Sequence, residues 1–319
     1  MYQPRRLRLE ENRFLGDGLG SLFHHPDYFR LHDAKAGLYI EGFDGDRLVL
    51  VLHLSPEPND SETWRSPLKG TYSAYAVSPE LTLAAWTEAH DRIERRLIEL
   101  GVRVAELLLA PMAHAQPHAA QQVYLLSSRG WCLARCDLNF AMDVDGREFR
   151  ERLDADHRRR LRNALAAGVT AVRAAPSDLP AVYGLIAEGY RARGRDVSMS
   201  LDELTIMQEH FAHRLVLMAC SKQGHMVGGT IALQLDPGVL YVYAWSSLPG
   251  QESENAVTVM AQSLYSFCQT NSIRLLDAGT ATIGAQLDVG LAAFKRSLGF
   301  TESLKPRMTK TLVPTETVG

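Results

Sequence analysis

At 319 residues with 46% hydrophobic content, the chain is long enough for two domains of ordinary size and can fill two cores. No run of eighteen apolar residues occurs, the start MYQPRRLRLEENRF carries no signal-peptide apolar segment and no lipidation box is present, so a cytoplasmic protein without membrane insertion is expected. The net charge of −3 excludes nucleic-acid binding over the whole surface, yet residues 147–195 hold eleven arginines against six acidic residues, a local +5 suited to one polyanion-binding patch.

In chain order, LFHHPDYF reads as a short helix or turn, and GLYIEGFDGDRLVLVLHL as two strands around Asp44, Gly45 and Asp46. SPEPNDSETW reads as a loop and TYSAYAV as a strand. Ser78 then serves as N-cap, with Pro79 in the first turn, of a helix whose Trp86, Ala89, Ile93, Leu97 and Leu100 recur at helical spacing and which stops at Gly101. Residues 102–109 form a buried strand, 119–128 a helix and 131–142 a strand. A helix over 147–168 carries HRRRLRNALAAG, followed by a strand at 169–174 and a helix starting near 176–180.

The second half repeats the order of the first. Strands fall at 215–220, 226–235 and 240–245, and Val257, Met260, Leu264 and Phe267 make a helical stripe stopped at Asn271. A strand through Ile273, Leu275 and Leu276 leads into a Gly/Thr loop. Next comes a helix with Leu287, Leu291, Phe294 and Leu298 on one face and Gly299 at its end, then a last strand over 308–313. Four anchors recur near one offset: Gly130-Trp131 with Gly299-Phe300 (169), Gly101 with Asn271 (170), Arg103 with Arg274 (171) and Tyr75-Ala76 with Tyr243-Ala244 (168). They imply a duplicated domain, with the boundary near Asp145 and domains at 1–145 and 146–319.

There is no P-loop, GxSxG, HExxH or CxxC, and the early GDGLG follows no strand. The four cysteines are expected to be reduced, with Cys132 and Cys136 on one face of a strand where buried thiols are common. His210 and His213, and His114 and His118 around Pro117, lack carboxylate or thiol partners, so no metal site is expected. The stretch 277–300, DAGTATIGAQLDVGLAAFKRSLGF, is the centre of the reading. Asp277 leaves a strand's C-terminal edge and Lys295 stands next to Phe294, where an open α/β sheet places its ligand cleft. Each also reads as a structural group, a loop-capping carboxylate and a snorkelling lysine. Arg158, Arg159, Arg160 and Arg162 read either as a solvated helix face or as forks for phosphate. Tyr241 and Tyr243 share a strand face, as packing or as hydroxyls that orient an acceptor or donate to an oxyanion.

LFHHPDYF, SPLKGTY, RRRLRNALAAGVTAV and DAG…G…LDVGLAAFKRSLGF, in that order and across nearly the whole chain, resemble the tandem acyl-CoA N-acyltransferase (GNAT) fold of the FemAB-like aminoacyltransferases. The resemblance implies an α/β protein of two GNAT-like domains, each a mixed central sheet flanked by helices. It further implies transfer of an acyl group, often an aminoacyl group from aminoacyl-tRNA, onto an amine of a small-molecule, peptide or phosphate-bearing acceptor, with no permanently bound cofactor. In that mechanism Asp277 would position or deprotonate the amine, Lys295 would face the oxyanion or a substrate phosphate with Tyr243 beside it, and Arg158 to Arg160 would receive phosphates. Tyr72, Tyr241 and Asp288 would contact substrate. The chain departs from the pattern in having Asp288 where family members typically carry Asn, and in lacking a glycine pair after Tyr72.

A further departure concerns the donor. An ordinary GNAT holds the CoA pyrophosphate on a basic, glycine-rich loop at a helix N-terminus. Here SSLPGQESENAV offers one glycine, no Arg or Lys and two glutamates, and VSPELTLAA in the first half is no more basic. This favours an ester carried on tRNA over a CoA thioester. An acyl-CoA-dependent N-acetyltransferase and a non-catalytic binding protein of the same fold are the alternative readings.

Overall fold

The structure is a computed structural model that describes residues 6–16, 18–32, 36–115 and 118–312; Pro117 and Val313, both used in the reading above, lie outside them. The chain divides into two compact units, one of residues 1–137 and 304–319, the other of residues 138–303. That first break falls eight residues before the boundary expected at Asp145, and the chain's C-terminal end returns to the first unit instead of staying with the second.

The first unit contains β1 (Arg8–Glu11), α1 (Pro26–His32), β2 (Leu38–Asp44), β3 (Arg47–Glu57), β4 (Asp60–Ser66), β5 (Ala76–Val77), α2 (Leu83–Glu99), β6 (Val104–Leu108) and α3 (Ala119–Ser128). β7 (Cys132–Asp143) leads on to α4 (Phe149–Arg152), α5 (Ala155–Ala166), β8 (Val169–Arg173), α6 (Leu179–Arg191), α7 (Leu201–His210), β9 (Leu215–Lys222), β10 (His225–Asp236) and β11 (Val239–Ser247). α8 (Ala256–Thr270), β12 (Leu275–Thr280), the small hairpin β13 (Thr282–Ile283) and β14 (Gln286–Leu287), α9 (Val289–Ser297) and β15 (Thr301–Thr311) complete the order.

Each unit is built on the same mixed sheet. In the first, β2, β3 and β4 pair antiparallel, β4 pairs parallel with β6, and β6 is closed antiparallel by β15 at Arg307 to Thr311. In the second, β8 to β11 pair antiparallel, β11 pairs parallel with β12, and β12 is closed antiparallel by β7 at Asn139 to Asp143. Each sheet is therefore completed by the strand that follows the other unit's last helix. Antiparallel partners can be chosen at any sequence distance, and a spacing pattern does not encode which edge a strand will join.

The duplication is visible in the elements. β12 begins 171 residues after β6 and α9 170 after α3, whereas β11 begins 179 after β4. The change in offset arises in residues 67–75, a loop that separates β4 from β5 where the second unit runs one unbroken β11. Gly130 and Gly299 hold matching left-handed positions (φ 80° and 85°) after α3 and α9. After α8 the left-handed residue is Ser272 (φ 55°), one beyond the expected Asn271, and so aligned with Gly101 (φ 81°) at an offset of 171.

Local chemistry shifts other boundaries. SPEPNDSETW is the end of β3, a tight turn and the start of β4 rather than a loop, because Ser55 and Pro56 pair with Arg65 and Trp64. Of TYSAYAV only Ala76 and Val77 are strand. α2 is capped by Thr82, whose Oγ1 accepts from Ala85 N at 3.3 Å, so Ser78 and Pro79 precede the helix. The helix expected over 147–168 is two, divided at Asp154, which caps α5 through His157 N at 2.7 Å. Leu287, expected on the buried face of α9, lies in β14 and is 44% exposed.

The second unit's core is centred on α8, whose Met260, Leu264, Tyr265 and Cys268 are fully buried between β8–β11 and α5. The first unit's core gathers Trp86, Ile93 and Leu97 of α2 with Leu50, Leu52 and Leu107 of the sheet. Cys220 and Cys268 are buried, while Cys132 and Cys136 are exposed free thiols on β7.

Candidate active site

The site follows from where one pair of parallel strands parts. β11 and β12 pair only at Val239 with Leu275, Leu240 with Leu276 and Tyr241 with Asp277. Beyond that point β11 runs on to Ser247 and β12 to Thr280 without pairing to each other, and a cavity of about 590 Å³ opens between them, wholly within the second unit. Its remaining walls come from α5 at His157 and Arg160, the end of α6 with the residues after it, the start of α8 at Asn255 to Thr258, β13 and α9. α6 can approach because Gly189 faces Ser246: a Cβ there would stand 2.0 Å from the Ser246 hydroxyl.

The segment after Asp277 is a tightly held turn. Asp277, 2% exposed, accepts from Asn139 Nδ2 at 3.0 Å and from Gly279 N at 2.7 Å. Lys295, also 2% exposed, donates to three successive carbonyls, those of Ala278 (2.8 Å), Gly279 (3.0 Å) and Thr280 (2.8 Å). An ammonium has three donors, and all are spent here. Burial lowers the Lys295 pKa to about 8 against the opposing pull of Asp277 and Asp288. Gly279 adopts φ 73°, and a Cβ there would press to 3.2 Å on the Tyr241 ring, so glycine suits both the turn and the close packing.

This arrangement corrects the roles expected for Asp277 and Lys295. Lys295 lines the cavity, but its donors point into the β12 turn and an oxyanion could be met only by breaking that turn. Asp277 is not among the residues lining the cavity; its carboxylate ties the turn to β7. Tyr243 lines the cavity with its hydroxyl engaged, accepting from Met199 N at 2.6 Å and sharing a hydrogen bond with Ser198 Oγ at 2.9 Å; burial pushes its pKa up to about 12. It thereby anchors the segment that follows α6.

Tyr241 is different. Its ring lines the cavity, its hydroxyl makes no hydrogen bond to any described residue, and burial, with the nearby Asp277 charge, raises its pKa above the ordinary 10. The phenol stays protonated at neutral pH and is a donor free to meet a ligand. Asp288 caps α9 through Leu291 N at 2.9 Å and pairs with Arg195 at 2.7 Å; those two contacts lower its pKa in that order.

The arginine run separates. Arg160 reaches the cavity while pairing with Asp156 at 2.6 Å. Arg159 pairs with the same Asp156, and Arg158 is folded back on the carbonyls of Arg150 and Leu153. Tyr72 lies in the other unit, 1% exposed, with its hydroxyl 3.3 Å from His114 Nδ1, and takes no part in this cavity. Sequence reasoning missed Tyr190, Arg193, Arg195 and Phe294, all of which line it. The two arginines belong to the basic stretch already visible, but their place in the site depends on where α6 ends.

No protein-family model matches the chain, and no curated protein matches it. Among solved structures the chain is similar to FemX, at 11% identity over 95% of this chain and 97% of that one, with a TM-score of 0.72. It is also similar to a tandem GNAT protein from the clavulanic acid biosynthesis pathway (12% identity, 97% and 100% covered, TM-score 0.55). The chain has the tandem GNAT fold. The C-terminal domain of an Agrobacterium fabrum protein described as a lysylphosphatidylglycerol synthetase is similar too (10% identity, 89% and 86% covered, TM-score 0.57). At these identities the likeness is one of fold, so the chemistry of this tandem GNAT chain has to be argued from its own cavity.

Proposed function

We propose that the protein is an N-acyltransferase that moves an aminoacyl group from an aminoacyl-tRNA ester onto an amine bound in the cavity of the second unit. The observation that carries the reading is the cavity at the parting of β11 and β12, with the unpartnered Tyr241 phenol facing it, in a chain of tandem GNAT fold. Acyl transfer needs two reactants held together and a stabilised tetrahedral oxyanion. Tyr241 supplies the oxyanion donor; Lys295 and Asp277 act one step back by holding the turn Ala278 to Thr280 in shape. An aminoacyl ester is already activated, so no covalent enzyme intermediate is needed, and the amine proton leaves through water.

The donor assignment rests on charge. The residues leading into α8, Leu248 to Asn255, contain no Lys or Arg, and Glu252 among them lines the cavity. A CoA pyrophosphate would meet a carboxylate there. The cavity's reach to the first turn of α8, at Asn255 to Thr258, is the one feature that favours acyl-CoA instead. Calorimetry with acetyl-CoA beside filter binding of aminoacyl-tRNA across a salt series separates the two. Salt-sensitive tRNA retention with weak acetyl-CoA binding is expected; micromolar acetyl-CoA binding without tRNA retention reverses the donor.

A further inference from the structure

The charges that line the cavity pair off, leaving one of each sign. Arg195 is matched by Asp288 at 2.7 Å, Arg160 by Asp156 at 2.6 Å, and Lys295 is held by three carbonyls. Arg193 has no carboxylate partner among the described residues; its one side-chain hydrogen bond is a 3.3 Å contact from Nη1 to Ser246 Oγ. Glu252 has no cationic partner among them either, its carboxylate accepting only Gly250 N at 3.2 Å. Both line the same cavity. Arg193 is hydrogen-bonded to Ser246 near the end of β11, and Glu252 follows the end of β11 by five residues.

An unpaired guanidinium and an unpaired carboxylate lining one cavity match a ligand that carries both opposite charges. We propose that the acceptor is a free amino acid, its carboxylate held by Arg193 and its ammonium by Glu252. The inference rests on the acyl-transfer reading and names the acceptor that reading leaves open. A cavity of about 590 Å³ admits a molecule of this size, and the rings of Tyr190, Trp245 and Phe294 leave room for an apolar side chain. Arg193 is suited to the task because a guanidinium meets a carboxylate with two parallel N–H donors. Glu252 concentrates the ammonium, which must lose one proton to become a nucleophile. In the transfer itself the amine nitrogen bonds to the acyl carbon, the ester C–O bond breaks, the ribose hydroxyl departs carrying one proton, and one further proton passes to water.

The test is a binding measurement made without donor. The twenty protein L-amino acids are screened by thermal shift, and the best binder is compared by calorimetry with its carboxamide and with its des-amino acid. The amino acid is expected to bind at least ten-fold more tightly than either analogue. Arg193→Gln should abolish discrimination against the carboxamide and leave discrimination against the des-amino acid; Glu252→Gln should do the reverse. The proposal is overturned if none of the twenty stabilises the protein, if an analogue binds as well as its parent, or if the two variants lose both discriminations together. The comparison of analogues on the unaltered protein stands even where a variant folds poorly. Binding with the expected discrimination but no transfer from aminoacyl-tRNA or acyl-CoA would sink the acyl-transfer reading and leave the amino-acid site standing.

Discussion

The two units solve the same architectural problem in opposite ways. Each has one parallel junction in its sheet, β4 with β6 and β11 with β12, and each could open beyond it. In the first unit residues 67–75 fill the opening. Ser73 N and Ala74 N donate to Leu108 O at 3.1 and 3.2 Å, and Tyr72 and Ser73 are buried with His24, His53 and His114. Burial lowers the His24 pKa to about 3 and the His53 pKa to about 4, so both of these imidazoles are neutral at pH 7. In the second unit no such segment intervenes, β11 stays unbroken, and the opening remains a cavity lined by charged and phenolic groups. Topology alone thus does not make a site. A nine-residue segment decides whether a parallel junction becomes core or cleft.

The sharpest way to break this comparison is at Lys295, which does for the open junction what Ser73 and Ala74 do for the closed one. Lys295→Met strands three carbonyls and should cost about 3 kcal/mol or more, read as a fall of several degrees in thermal midpoint together with loss of transfer. An unchanged midpoint with activity abolished would return Lys295 to a purely catalytic role. The difference also has a pH signature. The folded pKa of about 8 lies below the ordinary lysine value of 10.5, so between these values the unfolded chain holds a proton that the native one does not. The stability of the unaltered protein relative to Lys295→Met should therefore rise from pH 8 to 10; a flat or falling difference contradicts a buried ammonium.

The two cavity tyrosines give a smaller but cleaner contrast. Tyr241→Phe removes a hydroxyl with no protein partner and should leave the denaturation midpoint within about 0.5 kcal/mol while slowing transfer by ~10²-fold. Tyr243→Phe leaves Met199 N without its acceptor and should cost about 1 kcal/mol in stability. Equal effects of the two on rate, with none on stability, would remove the distinction between an anchoring phenol and a substrate-facing one.

The smallest effect is expected in the closed junction. Tyr72→Phe should destabilise by about 1 kcal/mol through its lost contact with His114 and leave both kcat and KM unaltered. A change in KM for the acceptor would place Tyr72 in the substrate path, as the resemblance had implied.

Local periodicity by itself settled much of this protein. The helical stripe Val257, Met260, Leu264 and Phe267 placed α8, of which Met260 and Leu264 are fully buried, and the left-handed glycines Gly101, Gly130 and Gly299 marked where helices stop, because burial spacing and φ preference act over a few residues. The duplication was legible for the same reason, each copy having kept its local pattern. Three features were not legible: the exchange of β7 and β15 between the sheets, the filling of one junction by residues 67–75, and the pairings that spend some charges and free others. Arg195 meets Asp288 across 93 residues of chain, and Asn139 meets Asp277 across 138. Such partners are selected by which surfaces come together when the sheet closes, and only that closure separated Lys295, whose donors are consumed, from Tyr241, whose hydroxyl meets no described residue.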